Sequence, residues 1–96
     1  MDRDAVLEIL KTHRPTLEGL GVRSLAIFGS LARNQARLGS DVDLLVEFYP
    51  PLTFDRYIQV KFYLEDLLGC PVDLVIPDTL KPRLRPQVEK EAIYVA

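Results

Sequence analysis

The stretch IFGSLARNQARLGSDVDLLVEF, residues 27–48, decides the fold. An apolar run ends in Gly29-Ser30, and ten residues later Asp41 and Asp43 open a second apolar run. Aspartate is a poor strand former, so two of them at the head of a strand need a reason. Side chains alternate along a strand, which puts Asp41 and Asp43 on one face with Cα atoms about 6.6 Å apart, two strand rises. Carboxylates that close repel, and burial sharpens the repulsion. The pair is tolerable where cations compensate it. Magnesium fits that role, a hard ion held by one or two carboxylates, water and substrate phosphates.

A third apolar run, residues 71–77, carries Asp73 near its start. If Gly29-Ser30, Asp41, Asp43 and Asp73 meet at one sheet edge, strand 23–29 must run antiparallel to strand 41–48, across a connection of about a dozen residues. Strand 71–77 must then be parallel to 41–48, with a helix over 54–69 as a right-handed crossover. The convergence predicts a mixed sheet.

The rest of the chain supplies the flanks. Val6, Leu7 and Leu10 fall at helical spacing over 2–13, with Asp2 or Asp4 near the start. Pro15 interrupts, and a further helical turn ends at Gly19 or Gly21. A short helix is predicted over 30–36 with Ser30 near its cap, then a turn over 37–40. Pro50-Pro51 ends the second strand, Gly69 stops the long helix, and a last helix (84–92) precedes a short edge strand (93–95). The class is α/β (α+β), a small mixed β-sheet with flanking helices.

The Gly-Ser turn offers the complement to the carboxylates. Gly29 lets a ligand approach the backbone. The Ser30 hydroxyl and the first amides of the following helix attract phosphate oxygens, and Arg33, one turn in, can add a charged contact. Each feature alone is weak. Gly-Ser is common in turns, and Asp-x-Asp occurs in capped turns, phosphatases and glycosyltransferases. Arg33 alone reads as a solvated helix residue, as Arg37 does. An aspartyl-phosphate phosphatase places its pair at the carboxyl end of a strand, whereas here the apolar run follows it. The ordered set carries the reading: strand, Gly-Ser, Asp-x-Asp, strand, helix, strand with Asp.

With 96 residues and 48% hydrophobic content, the chain is expected to form one globular domain over 1–96 with a single modest core. A net charge of −2 argues against broad nucleic-acid binding. From the acidic start no signal peptide is expected, and no apolar run reaches bilayer length. Cys70 is the one cysteine, so no internal disulfide forms; a reducing cytoplasm suits the chain, and the residue reads as a small hydrophobe. His13, the one histidine, reads as a surface residue near a helix end without the neighbours of a zinc set.

On the long helix Tyr57, Val60, Leu64, Leu67 and Leu68 make the core face. Phe54, Ile58 and Phe62 form a second stripe, covered either by residues 1–20 or by a partner or second copy. Lys81, Arg83 and Arg85 form a basic run, solvated or touching phosphate or an acidic partner.

At GSLARNQARLGSDVDLLVEF the chain resembles the nucleotidyltransferase superfamily that includes DNA polymerase beta. Within it, the chain resembles the minimal nucleotidyltransferases that act as antitoxins of HEPN-domain toxins. The resemblance covers roughly residues 20–96, tightest at the first motif and looser from Pro50 onward. It implies a polymerase beta-like fold in which Gly29 and Ser30 bind the triphosphate. It also implies that Asp41, Asp43 and Asp73 are the catalytic carboxylates, the first two holding two magnesium ions and Asp73 completing the set. ATP is the expected substrate and a tyrosine of a HEPN toxin the expected acceptor, with a homodimer as a further option. Larger relatives carry an added helical domain for which this chain is expected to have no room, so the acceptor is expected on another polypeptide or a second subunit. Two other readings remain: an antitoxin that neutralises by binding alone, and a small-molecule nucleotidyltransferase, against which the missing second domain speaks.

Overall fold

The structure, a computed structural model, describes residues 2–34 and 41–95. Helix α1 (Arg3–Thr12) starts where the Asp2 carboxylate accepts the Asp4 N–H at 3.3 Å, and buries Val6 and Leu10. His13 closes it, with its ring Nδ1 2.8 Å from the Ile9 carbonyl oxygen. Its ring meets Tyr63 edge-on, centroids 6.4 Å apart, so the residue is half-buried rather than a surface group. Helix α2 (Arg14–Gly19) carries Pro15 in its first turn, where a missing N–H costs nothing.

Strand β1 (Val22–Phe28) leads directly into α3 (Gly29–Ala32). The expected cap is shifted: Phe28 occupies the N-cap without a side-chain bond, and Ser30 lies inside the helix. The predicted extension of this helix to 36 and the turn over 37–40, Arg37 included, lie outside the described residues. Strand β2 (Val42–Phe48) begins just after Asp41. Helix α4 (Phe54–Leu68) is capped by the Thr53 hydroxyl, which accepts the Arg56 N–H at 3.2 Å. It ends at Gly69, whose φ of 69° is the left-handed geometry that glycine adopts without strain. Strand β3 (Val72–Val75), a 3-10 turn (Pro77–Thr79), α5 (Arg85–Glu91) and β4 (Ile93–Tyr94) complete the chain.

The sheet order is β3-β2-β1-β4. β1 is antiparallel to both β2 and β4, and β2 is parallel to β3, so the sheet is mixed as the convergence of the carboxylates required. One face carries Leu25 and Ile27 of β1, Val42, Leu44 and Val46 of β2, and Val72 and Leu74 of β3. Against it pack Val6, Leu10 and Leu17 from α1 and α2, Leu31 from α3, and Val60 and Leu64 from α4. Alternation sends Asp43, Leu45 and Glu47 of β2 to the other face. Ala26 and Leu45, paired there, are also buried, and the return from β3 to β4 brings the 3-10 turn against β2 and α5 against β1.

α4 shows its expected core face, with Val60 and Leu64 buried and Tyr57, Leu67 and Leu68 packed at the margin. Residues 1–20 do not cover the second stripe: Phe54 is 76% and Phe62 57% exposed, and Ile58 is half-buried. Among the described residues no helix is long and apolar enough to cross a membrane.

Candidate active site

The site is built where β1 hands over to α3 and where β2 and β3 begin. Register sets Phe28 of β1 opposite Asp43 of β2, and Asp43 opposite Asp73 of the parallel β3. Two predicted carboxylates therefore sit on adjacent strands at the same level. Asp41, exposed, lies just ahead of β2. The backbone turn at Gly29, with φ 69°, folds directly against Asp43. A Cβ placed on Gly29 would overlap Oδ2 of Asp43 and stand 3.2 Å from its Cγ, so only glycine leaves that carboxylate its position. Ser30 follows, half-buried, in a helix pinned to the core by Leu31 and Ala32, whose carbonyl accepts a bond from Arg3 Nη1 at 3.1 Å.

The electrostatics match this crowding. Burial, then the charges of Asp73 and Asp41, push the Asp43 carboxyl above its ordinary value; Arg33 opposes them. Arg33 caps the C-terminus of α3, donates its N–H to the Gly29 carbonyl at 3.2 Å, and places Nη1 3.1 Å from Oε2 of Glu91 on α5. The structure thus brings Gly29, Asp43 and Asp73 to one place, with Asp41 and Arg33 near enough to act on Asp43. Among the described residues no three His, Cys, Asp or Glu side chains gather into a complete metal-ligand set. An all-oxygen rim of mutually repelling carboxylates is still the donor type that magnesium takes when water and substrate phosphates complete its shell.

Several features escaped sequence reasoning. Glu91 is 58 residues from Arg33, and nothing local marks it as a partner. Tyr57, Lys61 and Glu65 of α4 bond the backbone of β3; their four-residue spacing was visible, but an apolar reading of the helix passed over it. A hollow of about 240 Å³ lined by Arg23, Glu47, Leu52 and Pro77, among others, contains none of the predicted site residues. Of the basic run, Arg85 bonds Asp78 at 3.1 Å and Glu89 at 2.8 Å, while Lys81 and Arg83 are exposed. Cys70 is half-buried, and burial together with the Asp41 and Glu65 charges pushes its thiol up.

A mixed sheet with acidic residues level on two adjacent strands, faced by a glycine turn that opens a helix, is the arrangement of a nucleotidyl-transferring enzyme. Residues 4–95 match the model of the nucleotidyltransferase domain, and the chain belongs to that family. It is similar to protein adenylyltransferase MntA of Thermococcus cleftensis, 40% identical over 93 residues and covering 96% of this chain and 94% of that protein. A solved structure described as a minimal nucleotidyltransferase superposes with a TM-score of 0.76 at 42% identity, covering 97% of this chain and 95% of the other. A chain of the complex between the MNT antitoxin and the tri-AMPylated HEPN toxin of Shewanella oneidensis shares the fold, with a TM-score of 0.65 at 18% identity over 94% of this chain and 71% of that one.

Proposed function

We propose that this chain, acting as one domain over 1–96, transfers AMP from ATP to a tyrosine of a HEPN-domain toxin with the help of magnesium, and so serves as an antitoxin. The observation that carries the reading is the seating of Gly29 against the Asp43 carboxylate, level with Asp73: acidic groups crowded together at the opening of a helix, whose charges need a cation. The protein adenylyltransferase at 40% identity supports the adenylyl donor, and the shared fold of the HEPN complex supports the partner class.

Asp41, Asp43 and Asp73 would hold the two metal ions, which when bound neutralise charge on the triphosphate and on the leaving pyrophosphate. The protein's own part is placement. The Gly29 turn and Ser30 would seat the triphosphate, and Arg33 would offer guanidinium donors to its oxygens. Asp73, exposed on a different strand, is open to the acceptor side, where it can orient the tyrosine hydroxyl or take its proton. The acceptor oxygen bonds to the α-phosphorus as the bond to pyrophosphate breaks.

The test is to incubate the chain with a candidate HEPN-domain partner, Mg²⁺ and each nucleoside triphosphate in turn, and to weigh the HEPN protein intact. A mass gain in whole AMP units, with ATP alone and located on tyrosine, is expected. A tight complex with no mass gain under any triphosphate would overturn transfer in favour of neutralisation by binding, a reading to which the exposed Phe54 and Phe62 lend a surface.

A further inference from the structure

β3 is four residues long and lies at the edge of the sheet, paired with β2 alone among the described residues. The Asp73 side chain makes no hydrogen bond or ion pair among the described residues, so its placement rests on its backbone. At this end β2 reaches β3 through the Val42 N–H, which donates to the Pro71 carbonyl at 3.0 Å. Strand alternation then turns the backbone groups of Val72 and Leu74 outward, to the open edge.

Three of those outward groups are taken by one face of α4. The Tyr57 hydroxyl donates to the Leu74 carbonyl at 2.6 Å. The Lys61 ammonium donates to the Val72 carbonyl at 2.7 Å, and Glu65 Oε2 accepts the Val72 N–H at 2.9 Å. Lys61 and Glu65 also face each other at 3.4 Å, with side chains 29% and 26% exposed, the most enclosed ion pair among the described residues. The three lie at i, i+4 and i+8, one stripe of the helix, and their bonds fall on the residues directly before and after Asp73. Val72 and Leu74 are already buried in the core, so packing holds the strand to the sheet. The ladder adds control of the edge backbone between them.

We propose that Tyr57, Lys61 and Glu65 are positioning residues for transfer: they bond the free edge of β3 on either side of Asp73 and hold that carboxylate level with Asp43. This rests on the reading that Asp73 serves the transfer reaction. It assigns α4 a part in the chemistry besides that of a crossover, and it blocks the edge against strand addition.

The test uses Tyr57→Phe, which removes one hydroxyl, and the double variant Tyr57→Phe/Lys61→Met. The transfer assay above is run well below each variant's Tm, with exchange of the Val72 amide, which Glu65 holds, read in parallel. Because small misplacement of a reacting group is costly, kcat should fall by about tenfold to a hundredfold in the double variant. KM for ATP should stay within about twofold, since triphosphate seating belongs to the Gly29 turn. Lys61→Arg, which keeps a donor, should recover part of the loss. Unchanged kcat in both variants, or a loss that tracks only their unfolding, would overturn the proposal. So would an equal rise in KM. If Asp73→Asn transfers as well as the parent, the role of Asp73 falls and the proposal with it. If the parent chain transfers nothing, it is the proposed function that fails.

Discussion

Asp43 is the residue on which stability and function pull apart. Partly buried, facing Asp73 and Asp41, it holds a charge its surroundings disfavour. Asn keeps its shape and removes the charge. Without divalent metal, Asp43→Asn should therefore raise Tm by a few degrees in a thermal melt while abolishing transfer; a lowered Tm would mean that the carboxylate is stabilised rather than strained. Gly29 makes the converse case. An alanine there must keep a left-handed backbone, costing about 1–2 kcal/mol, and must push Oδ2 of Asp43 aside. The carboxylate is the softer partner, so it turns. Gly29→Ala should lower Tm by about 4–15 °C for a domain of this size and depress kcat well beyond what that loss explains. Calorimetry beside the mass assay separates the two effects.

At the scale of elements, α4 is tied to β3 through a carboxylate whose affinity for protons is altered. The Val72 N–H, together with Lys61, holds Glu65 below its ordinary value. Such a group adds stability that is complete above the unfolded-chain value, about 4.3, and is lost as pH falls through the lower folded value. Glu65→Gln should accordingly lower Tm at neutral pH, and its deficit against the parent should shrink below about pH 4; a deficit constant across the titration would refute the linkage. These elements also show what a sequence discloses. The meeting of Asp43 and Asp73 at one sheet edge was legible because carboxylates at strand starts contradict propensity and so announce a reason. The mixed topology followed from asking them to meet. Pro15, Pro50-Pro51 and Gly69 punctuate locally, and the boundaries they mark were found to within a residue or two. The cap of α3 was misplaced because Ser30 is a good cap by type, yet the positive φ at Gly29 starts the helix one residue earlier. Glu91 against Arg33 was not legible, since it depends on where a return segment lands in space. On α4 the spacing of Tyr57, Lys61 and Glu65 is visible in the sequence, but not that this face meets the backbone of β3.

Across the whole molecule, the two faces of the sheet do different work. One is closed by α1 to α4 over Leu44, Val46, Ile27 and their neighbours, and it supplies the burial that holds so short a chain together. The other carries Asp43 along the same strand that buries Leu44, so the acidic rim is anchored by core residues one position away. Strain at the rim is affordable because the opposite face is secure, and whatever relieves that strain should stabilise the entire fold. If, as proposed, Mg²⁺ and a non-hydrolysable ATP analogue bind the folded chain alone, a hundredfold excess over Kd adds about 2.7 kcal/mol by mass action. For a domain of this size that is a Tm rise of about 10 °C or more. The rise should need metal and analogue together, since the carboxylates repel a triphosphate that arrives without cations, and it should vanish in Asp43→Asn. A full shift with the analogue alone, in the presence of chelator, would mean that the nucleotide is held by Arg33 and the Gly29 turn without any cation at the rim.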